Sequence, residues 1–247
     1  MLIVGNWKAA VATKERALKL FSTAKRLASK SRHDIVLAPP APYLGLLASK
    51  NHGGVSFSAQ DVSEVTGGAE TGEVIGSLLH DLGVSYVIVG HSERRARGET
   101  DALVAEKVKR ALANGLTPIL CIGEHERDLD AKYLQFLRGQ LTAVLQQLSQ
   151  KEIQGLVIAY EPVFAIGKSA ADALSSADLA EMVLYIRKIM GEYVPGKASA
   201  RVKVLYGGSA EPDNARGLAG GGGIDGFLVG HASVDPILFA GLIKAIS

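Results

Sequence analysis

Residues 86–122 read YVIVGHSERRARGETDALVAEKVKRALANGLTPILCI, and this stretch decides the fold class. Tyr86–Val89 and Pro118–Ile122 are apolar at consecutive positions, a pattern that is typical of strands buried on both faces. Between them, Ala102–Asn114 has apolar residues at three- and four-residue spacing and charges on the other face, which predicts an amphipathic helix. A strand, a helix and a second strand in this order predict a parallel pair with a right-handed crossover.

The same alternation continues in both directions along the chain. Six further apolar runs predict strands: Leu2–Gly5, Ile35–Ala38, Val55–Ala59, Leu156–Tyr160, Val202–Tyr206 and Phe227–Val229. Four further amphipathic segments predict helices: Lys14–Ser29, Lys132–Ser149, Ala177–Met190 and Pro236–Ile246. Eight such units in 247 residues match the size of a (β/α)8 barrel, with a doubly wound open sheet as the alternative. No linker interrupts the alternation, so we expect a single domain over residues 1–247 rather than two.

Composition excludes several classes of protein. The chain has one cysteine, Cys121, which cannot form an internal disulfide, so we exclude a disulfide-stapled scaffold and expect a reducing compartment. The 27 Lys and Arg residues nearly balance the 25 Asp and Glu residues, which argues against a nucleic-acid-binding surface. Met1–Lys8 has no basic leader, and no apolar run is long enough to cross a bilayer. We therefore expect a cytoplasmic protein with no membrane partner.

Two glycine-rich motifs fit nucleotide-binding patterns by spacing but not by context. Gly221–Gly226 satisfies G-x-G-x-x-G, yet it precedes a predicted strand, whereas the dinucleotide fingerprint follows a strand and opens a helix. Gly191–Lys197 approaches a phosphate-binding P-loop, but Ala198 stands where Mg²⁺ needs a hydroxyl. We interpret both motifs as turns.

Reactive side chains follow several of the predicted strands. They are Asn6-Trp7-Lys8 after the first strand, His91–Arg95 after the fourth, Cys121 and Glu124 around the end of the fifth, and Glu161-Pro162 after the sixth. Each group alone is more often structural than catalytic. A barrel, however, performs its chemistry at the carboxyl ends of its strands, so their convergence on one rim predicts an active site.

Glycine-rich turns follow the last two predicted strands, at Tyr206–Ser209 and Val229–Ser233. Such turns present backbone N–H groups to a phosphate, and barrels often bind phosphate at these two loops. The need for a tight turn after a strand readily explains one glycine-rich loop, but it explains two such loops after consecutive strands less well. We therefore predict a phosphate site here.

These residues resemble a known family, the triosephosphate isomerases, from Gly5 to about Ala240. The segments that carry the resemblance are Gly5–Lys8, Val89–Arg95, Cys121–Glu124, Ala159–Val163, Tyr206–Ser209 and Gly226–Gly230. The resemblance implies a single (β/α)8 barrel that interconverts dihydroxyacetone phosphate and D-glyceraldehyde 3-phosphate through a cis-enediol(ate). It implies no metal and no cofactor.

The resemblance also implies which residues are catalytic. Glu161 is expected to carry the proton between the two substrate carbons, as base and then as acid. His91 is expected to act as a neutral electrophile, this family being the standard example of such tuning. Lys8 supplies a fixed positive charge, and Asn6 donates a hydrogen bond beside it.

Binding and supporting residues are carried over in the same way. The substrate-binding residues implied are Asn6, Trp7, Lys8, Gly167, Ser209, Gly230 and His231, and the supporting residues are Glu93 and Cys121. His231 stands where the family has a second glycine, so its backbone N–H is expected to bind phosphate while its side chain crowds the ligand, adds charge or points to solvent.

The segment after Glu161 departs from the family pattern. The family closes a lid here, and Pro162–Gly167 matches the lid's beginning and tip. Phe164 replaces the usual Trp, a Thr-Gly pair is missing before Lys168-Ser169-Ala170, and extra residues follow at Ala171–Ser175. These changes and His231 motivate an alternative function, a phosphate-binding barrel with weak or lost catalysis. A different phosphosugar barrel enzyme is a third and less supported hypothesis.

The resemblance further implies a homodimer. The long connection Gln60–Val74 resembles the arm that docks into the neighbouring subunit, with Thr71 near the neighbour's Lys8. Glu70 stands where many members have a more apolar residue, which allows for a weakened dimer.

Overall fold

Within residues 1–166 and 174–247, which the computed structural model describes, eight parallel strands close into a barrel. The strands are β1 (Leu2–Asn6), β2 (Asp34–Ala38), β3 (Ser56–Ala59), β4 (Tyr86–Val89), β5 (Thr117–Ile122), β6 (Val157–Tyr160), β7 (Lys203–Tyr206) and β8 (Gly226–Val229). Each pairs with the next, and β8 returns to β1 with Leu2 opposite Gly226. The predicted barrel is confirmed, and the open-sheet alternative is wrong because β1 and β8 leave no free edge.

Helices surround the barrel. They are α1 (Lys14–Ala28), α2 (Ala41–Ala48), α3 (Gly76–Asp81), α4 (Ser92–Arg95), α5 (Asp101–Ala113), α6 (Lys132–Leu145), α7 (Gln150–Gln154), α8 (Ser176–Tyr193), α9 (Pro212–Gly221) and α10 (Pro236–Ala245). The amphipathic segments predicted from the sequence are confirmed as α1, α5, α6, α8 and α10. No helix in this described part of the chain is long and apolar enough to cross a membrane.

One predicted helix was too long. The segment Lys132–Ser149 was predicted as one helix, but α6 ends at Leu145 because Ser149 starts a new one. The Ser149 hydroxyl accepts the N–H of Glu152, and the Glu152 carboxylate accepts the N–H of Ser149 at 2.8 Å. This reciprocal cap satisfies N–H groups that would otherwise be unpaired at the start of α7.

Helices α2, α3 and α9 are absent from the sequence prediction, each for a reason visible in its residues. Helix α2 has the sequence APYLGLLA, which is apolar at almost every position, and α3 has only six residues. Helix α9 includes three glycines, which lower helix propensity, although Pro212 at its first position suits a helix start. Packing against the barrel therefore decides these helices, rather than local propensity.

Side chains inside the barrel alternate along each strand with side chains that face the helices. On β1, Leu2 and Val4 belong to the interior cluster, whereas Ile3 packs in the layer between strands and helices. Since strand side chains alternate with a period of two, Asn6 continues the inward row above Val4. Asn6 is 5% exposed, and it thus lies at the carboxyl end of the barrel interior.

Candidate active site

Glu161 lies at the mouth of the barrel, where the two-residue alternation of strand side chains on β6 places it. On β6, Val157 and Ala159 are interior residues, so Glu161 is next in that row, just past the end of the strand. The neighbouring strands leave room for it with glycines. A Cβ on Gly123 would overlap the carbonyl oxygen of Glu161, and a Cβ on Gly207 would lie 2.7 Å from Glu161 Cγ. These two glycines therefore fix where the Glu161 carboxylate sits.

The carboxylate of Glu161 is buried and contacts two groups of the turn after β4. Its side chain is 2% exposed. Oε2 accepts the backbone N–H of Ser92 at 3.1 Å, and Oε1 lies 3.3 Å from Nε2 of His91. Two segments that are distant in the sequence therefore meet at one carboxylate.

His91 presents one ring nitrogen to the site and is fixed through the other. It is the N-cap residue of α4, and its Nδ1 accepts the backbone N–H of Glu93 at 3.2 Å. A ring nitrogen that accepts a hydrogen bond has no proton of its own, so this contact assigns the neutral tautomer with the proton on Nε2. Nε2–H is therefore available as a hydrogen-bond donor close to the Glu161 carboxylate.

Lys8 is held by three contacts in a strained backbone conformation. Its φ is 47°, a left-handed value that a non-glycine residue rarely adopts. The Lys8 N–H donates to Asn6 Oδ1 at 3.0 Å, and the Lys8 carbonyl accepts from Gln60 Nε2 at 2.9 Å. Lys8 Nζ lies 2.6 Å from Glu93 Oε1. Burial would raise the pKa of Glu93, but the hydrogen bond and charge of Lys8 outweigh burial and lower that pKa.

A cavity of about 510 Å³ joins these groups to the turns after β7 and β8. Its lining residues from the predicted set are Asn6, Lys8, His91, Glu161, Ser209, Gly230 and His231. Ser209 Oγ donates to the carbonyl of Ala165 at 2.9 Å, which ties the turn after β7 to the segment after Glu161. Gly230 comes close to the lysine, since a Cβ there would lie 3.5 Å from Lys8 Cε.

The remaining predicted residues take different places. Trp7 is 1% exposed and packs in the layer between strands and helices, and it does not line the cavity. Cys121 is buried in the barrel interior, and burial, followed by the charge of Glu161, raises the pKa of its thiol well above the usual value. Gly167 lies outside the described residues, as does the part of the predicted lid that follows it up to residue 173.

The backbone at His231 is not strained. His231 begins a short 3₁₀ helix, His231–Val234, and its φ is not positive. Its side chain is 77% exposed and contacts Glu211, with 3.0 Å between His231 Nδ1 and Glu211 Oε1. The side chain therefore neither fills the cavity nor extends freely into solvent.

Comparison with known proteins agrees with this geometry. A sequence model of triosephosphate isomerase matches residues 1–246 of the chain. The chain belongs to the triosephosphate isomerase family. It is 40% identical over 246 residues to the triosephosphate isomerase of Moorella thermoacetica, covering 98% of this chain and 97% of that protein. It is 41% identical over 252 residues to the triosephosphate isomerase of Alkalilimnicola ehrlichii, covering 99% and 97% respectively.

The sequence analysis missed some residues of the candidate site. Ser92 contacts Glu161 through its backbone N–H, for which no side-chain pattern gives a signal. Gln60 donates to two backbone carbonyls, those of Lys8 and Ala38, each at 2.9 Å. Glu211 lines the cavity and contacts His231, although the two are twenty residues apart in the chain. A charged residue three positions after Gly208 was the available signal for Glu211.

Arg127 is a further residue near the site that the sequence did not reveal. Its Nη2 donates to the hydroxyl of Tyr160 at 3.3 Å, and its guanidinium carbon lies 5.6 Å from the ring centroid of Phe164. Tyr160 in turn donates its hydroxyl to Glu124 Oε1 at 2.7 Å. Burial and then the negative charge of Glu124 raise the pKa of Tyr160. Phe164, where the family most often has Trp, is thus held by a cation–π contact.

Arg95 anchors the turn that positions His91. Its Nε–H donates to the carbonyl of Gly90 at 2.7 Å, and its Nη2 donates to the carbonyl of Cys121 at 3.4 Å. Arg95 also pairs with Asp101 through Nη1.

A lysine at position 95 would have a single side-chain nitrogen and could not make all of these contacts at once. We expect Arg95→Lys to lower the free energy of unfolding by about 1.5–3 kcal/mol, measured by urea denaturation.

Arg138→Lys is the matched control for that variant. Arg138 makes two contacts with Glu192, at 2.8 and 2.6 Å, and both side chains are more than 40% exposed. An exposed pair of this kind contributes at most about 1 kcal/mol. Equal losses in the two variants would show that the fork of Arg95 contributes no more than a surface ion pair.

Proposed function

We propose that this chain is a catalytically active triosephosphate isomerase, which interconverts dihydroxyacetone phosphate and D-glyceraldehyde 3-phosphate. The observation that carries the proposal is the meeting of a buried carboxylate and a neutral imidazole, with Glu161 Oε1 3.3 Å from His91 Nε2, in one cavity with Lys8. An aldose–ketose isomerisation needs a base that serves two adjacent carbons and a donor for the oxygen between them. These two groups fit those tasks.

In the proposed reaction, the Glu161 carboxylate takes a proton from C1 of dihydroxyacetone phosphate. The C–H electron pair becomes the C1–C2 double bond, and the carbonyl electron pair moves to O2. His91 gives its Nε2 proton to O2, while Lys8 and Asn6 stabilise the developing negative charge. Nε2 of His91 then takes the hydroxyl proton from O1, the O1 electron pair forms the C1–O1 double bond, and the C1–C2 electron pair takes the proton of the Glu161 carboxyl at C2.

One oxygen of the Glu161 carboxylate must be free to reach a substrate carbon. In this structure Oε2 accepts the Ser92 N–H, and Oε1 lies 3.3 Å from His91 Nε2. A substrate carbonyl competes for His91 Nε2–H, so we infer that substrate binding leaves Oε1 free to act as the base. The phosphate is proposed to lie at the other end of the cavity, against the backbone N–H groups of Gly208, Gly230 and His231.

An NADH-coupled assay tests the proposal. We expect turnover in both directions and tight competitive inhibition by phosphoglycolate, because an organised site prefers the enediolate mimic. Phosphate binding without turnover, and no preference for phosphoglycolate over inorganic phosphate, would instead support the phosphate-binding barrel with lost catalysis.

We propose further that the protein forms a homodimer through the connection Gln60–Val74. A second cavity of about 730 Å³ lies beside the active site and is lined by both Lys8 and Glu93. Apolar side chains surround it and are exposed, at 36% for Val74, 54% for Leu78 and 42% for Leu82. Clustered exposed apolar side chains of this kind favour a protein interface.

Leu78→Asp tests the dimer. We expect the wild-type protein to be a dimer at micromolar concentration by light scattering. The variant should raise the dimer dissociation constant by about tenfold or more, because burying an unpaired carboxylate costs several kcal/mol. Leu184→Asp is the control, since Leu184 is 68% exposed on α8 and away from this cavity. A fully active wild-type monomer would contradict the proposal.

The cytoplasm is the compartment that we propose. Its support is limited to composition: the single cysteine, Cys121, is buried and free, as suits a reducing environment. Cell fractionation tests this, with recovery in the cytosolic fraction as the expected result.

A further inference from the structure

We propose that His231 and Glu211 form a specificity-determining pair, in which His231 holds the Glu211 carboxylate away from the phosphate group of the substrate. The inference rests on the proposed function, since it takes the phosphate to bind between the turns after β7 and β8. His231 Nδ1 lies 3.0 Å from Glu211 Oε1, which joins those two turns. Both side chains line the 510 Å³ cavity.

The charges in the cavity make this contact important. Among the described residues that line it, Lys8 is the only lysine or arginine, whereas Glu161 and Glu211 both have carboxylates. Lys8 also lies 2.6 Å from the carboxylate of Glu93. A triose phosphate brings up to two more negative charges, and like charges repel more strongly in a cleft than in open water. An unpaired Glu211 would therefore weaken phosphate binding.

The backbone of Glu211 is fixed at the start of α9. Its N–H donates to Asn214 Oδ1 at 2.9 Å, and its carbonyl accepts the N–H of Asn214 at 3.2 Å. His231 holds Oε1 of the Glu211 side chain from the facing turn. We infer that, without His231, Oε1 is free to turn into the cavity, because the contacts with Asn214 hold the backbone of Glu211 and not its carboxylate.

The other charged group near His231 is already occupied. The carboxylate of Asp235 is within electrostatic reach of His231, and it caps α10 by accepting the N–H groups of Ile237 and Leu238 at 2.7 and 3.0 Å. Those two backbone hydrogen bonds are the main reason that the pKa of Asp235 is lowered. Glu211 is thus the carboxylate that His231 contacts directly.

The pair is open to mutational test because His231 is mostly exposed and its φ is not positive. An alanine can take this backbone conformation and leaves no buried cavity. We expect His231→Ala to raise the KM of both triose phosphates, and the inhibition constant of inorganic phosphate, about three- to fivefold. Because the interaction acts on the bound phosphate in ground state and transition state alike, kcat should change less than twofold.

Two further variants separate charge from shape. His231→Lys supplies a cation at the same place and should restore the inhibition constant of inorganic phosphate. Adding Glu211→Gln to His231→Ala should also restore it, because the carboxylate that needs a partner is gone. The contacts of residue 211 with Asn214 use its backbone N–H and carbonyl, so the start of α9 survives this substitution. Glu192→Gln removes an exposed carboxylate elsewhere and should leave the constant unchanged.

The proposal is overturned if His231→Ala leaves phosphate inhibition unchanged or strengthens it, or if the double variant binds phosphate as weakly as the single one. A loss confined to kcat would also overturn it. If the wild-type protein shows no turnover, the proposed function fails on its own. Calorimetric titration of inorganic phosphate into the same folded variants then decides the role of the pair, with unchanged affinity in His231→Ala as the overturning result.

Discussion

Glu161→Gln is expected to lower kcat by about 10²- to 10⁴-fold, the usual contribution of a general base. The amide has the same shape and can still accept the N–H of Ser92, so the fold should survive. It cannot take a proton from carbon at a useful rate, because an amide oxygen is far less basic than a carboxylate. The NADH-coupled assay measures the loss in both directions, and KM should change much less than kcat.

Two measurements make that test specific to the base. Glu181→Gln, at an exposed position on α8, removes a carboxylate away from the site and should keep full activity. Exchange of deuterium from solvent into the substrate should fall together with kcat in Glu161→Gln, because that exchange requires the proton to pass through the base. Turnover close to wild type in this variant would contradict the assignment of Glu161.

The barrel could be predicted because its signals are local. Each strand is a short apolar run, and most of the long helices show three- and four-residue spacing, as in Lys14–Ser29. The predicted strand ends agree with the structure to within one residue, as at Leu156–Tyr160 against Val157–Tyr160. Helix α2 could not be predicted, because a segment that is apolar all round has no amphipathic face to recognise.

The site could be predicted only where a side chain is both reactive and next to a strand end. Glu161 and His91 meet that condition, and the structure brings them to 3.3 Å. The Ser92 N–H does not, since every residue except proline has a backbone donor. Contacts such as Arg127 with Phe164 depend on where two long loops lie in space. Sequence spacing does not determine that distance.

His91→Gln is expected to lower kcat by about 10²- to 10³-fold, the usual effect of removing one donor to a developing oxyanion. The structure supports this expected role of the imidazole. Its Nδ1 accepts the N–H of Glu93, which leaves Nε2 as the protonated nitrogen, 3.3 Å from Glu161 Oε1. A glutamine amide can donate a hydrogen bond, but it has no second nitrogen held by the backbone and cannot exchange a proton with the enediol oxygens.

The tautomer supplies an independent check on that explanation. Nitrogen NMR of ¹⁵N-histidine-labelled protein should show the His91 ring neutral and protonated at Nε2. Protonation at Nδ1 would contradict the assignment, because the N–H of Glu93 would then have no acceptor there.

His52→Gln, in an exposed turn, is the matched control for the His91→Gln kinetics and should leave kcat unchanged. If His91→Gln also kept full kcat, the stabilisation of O2 would have to come from Lys8 and Asn6 alone.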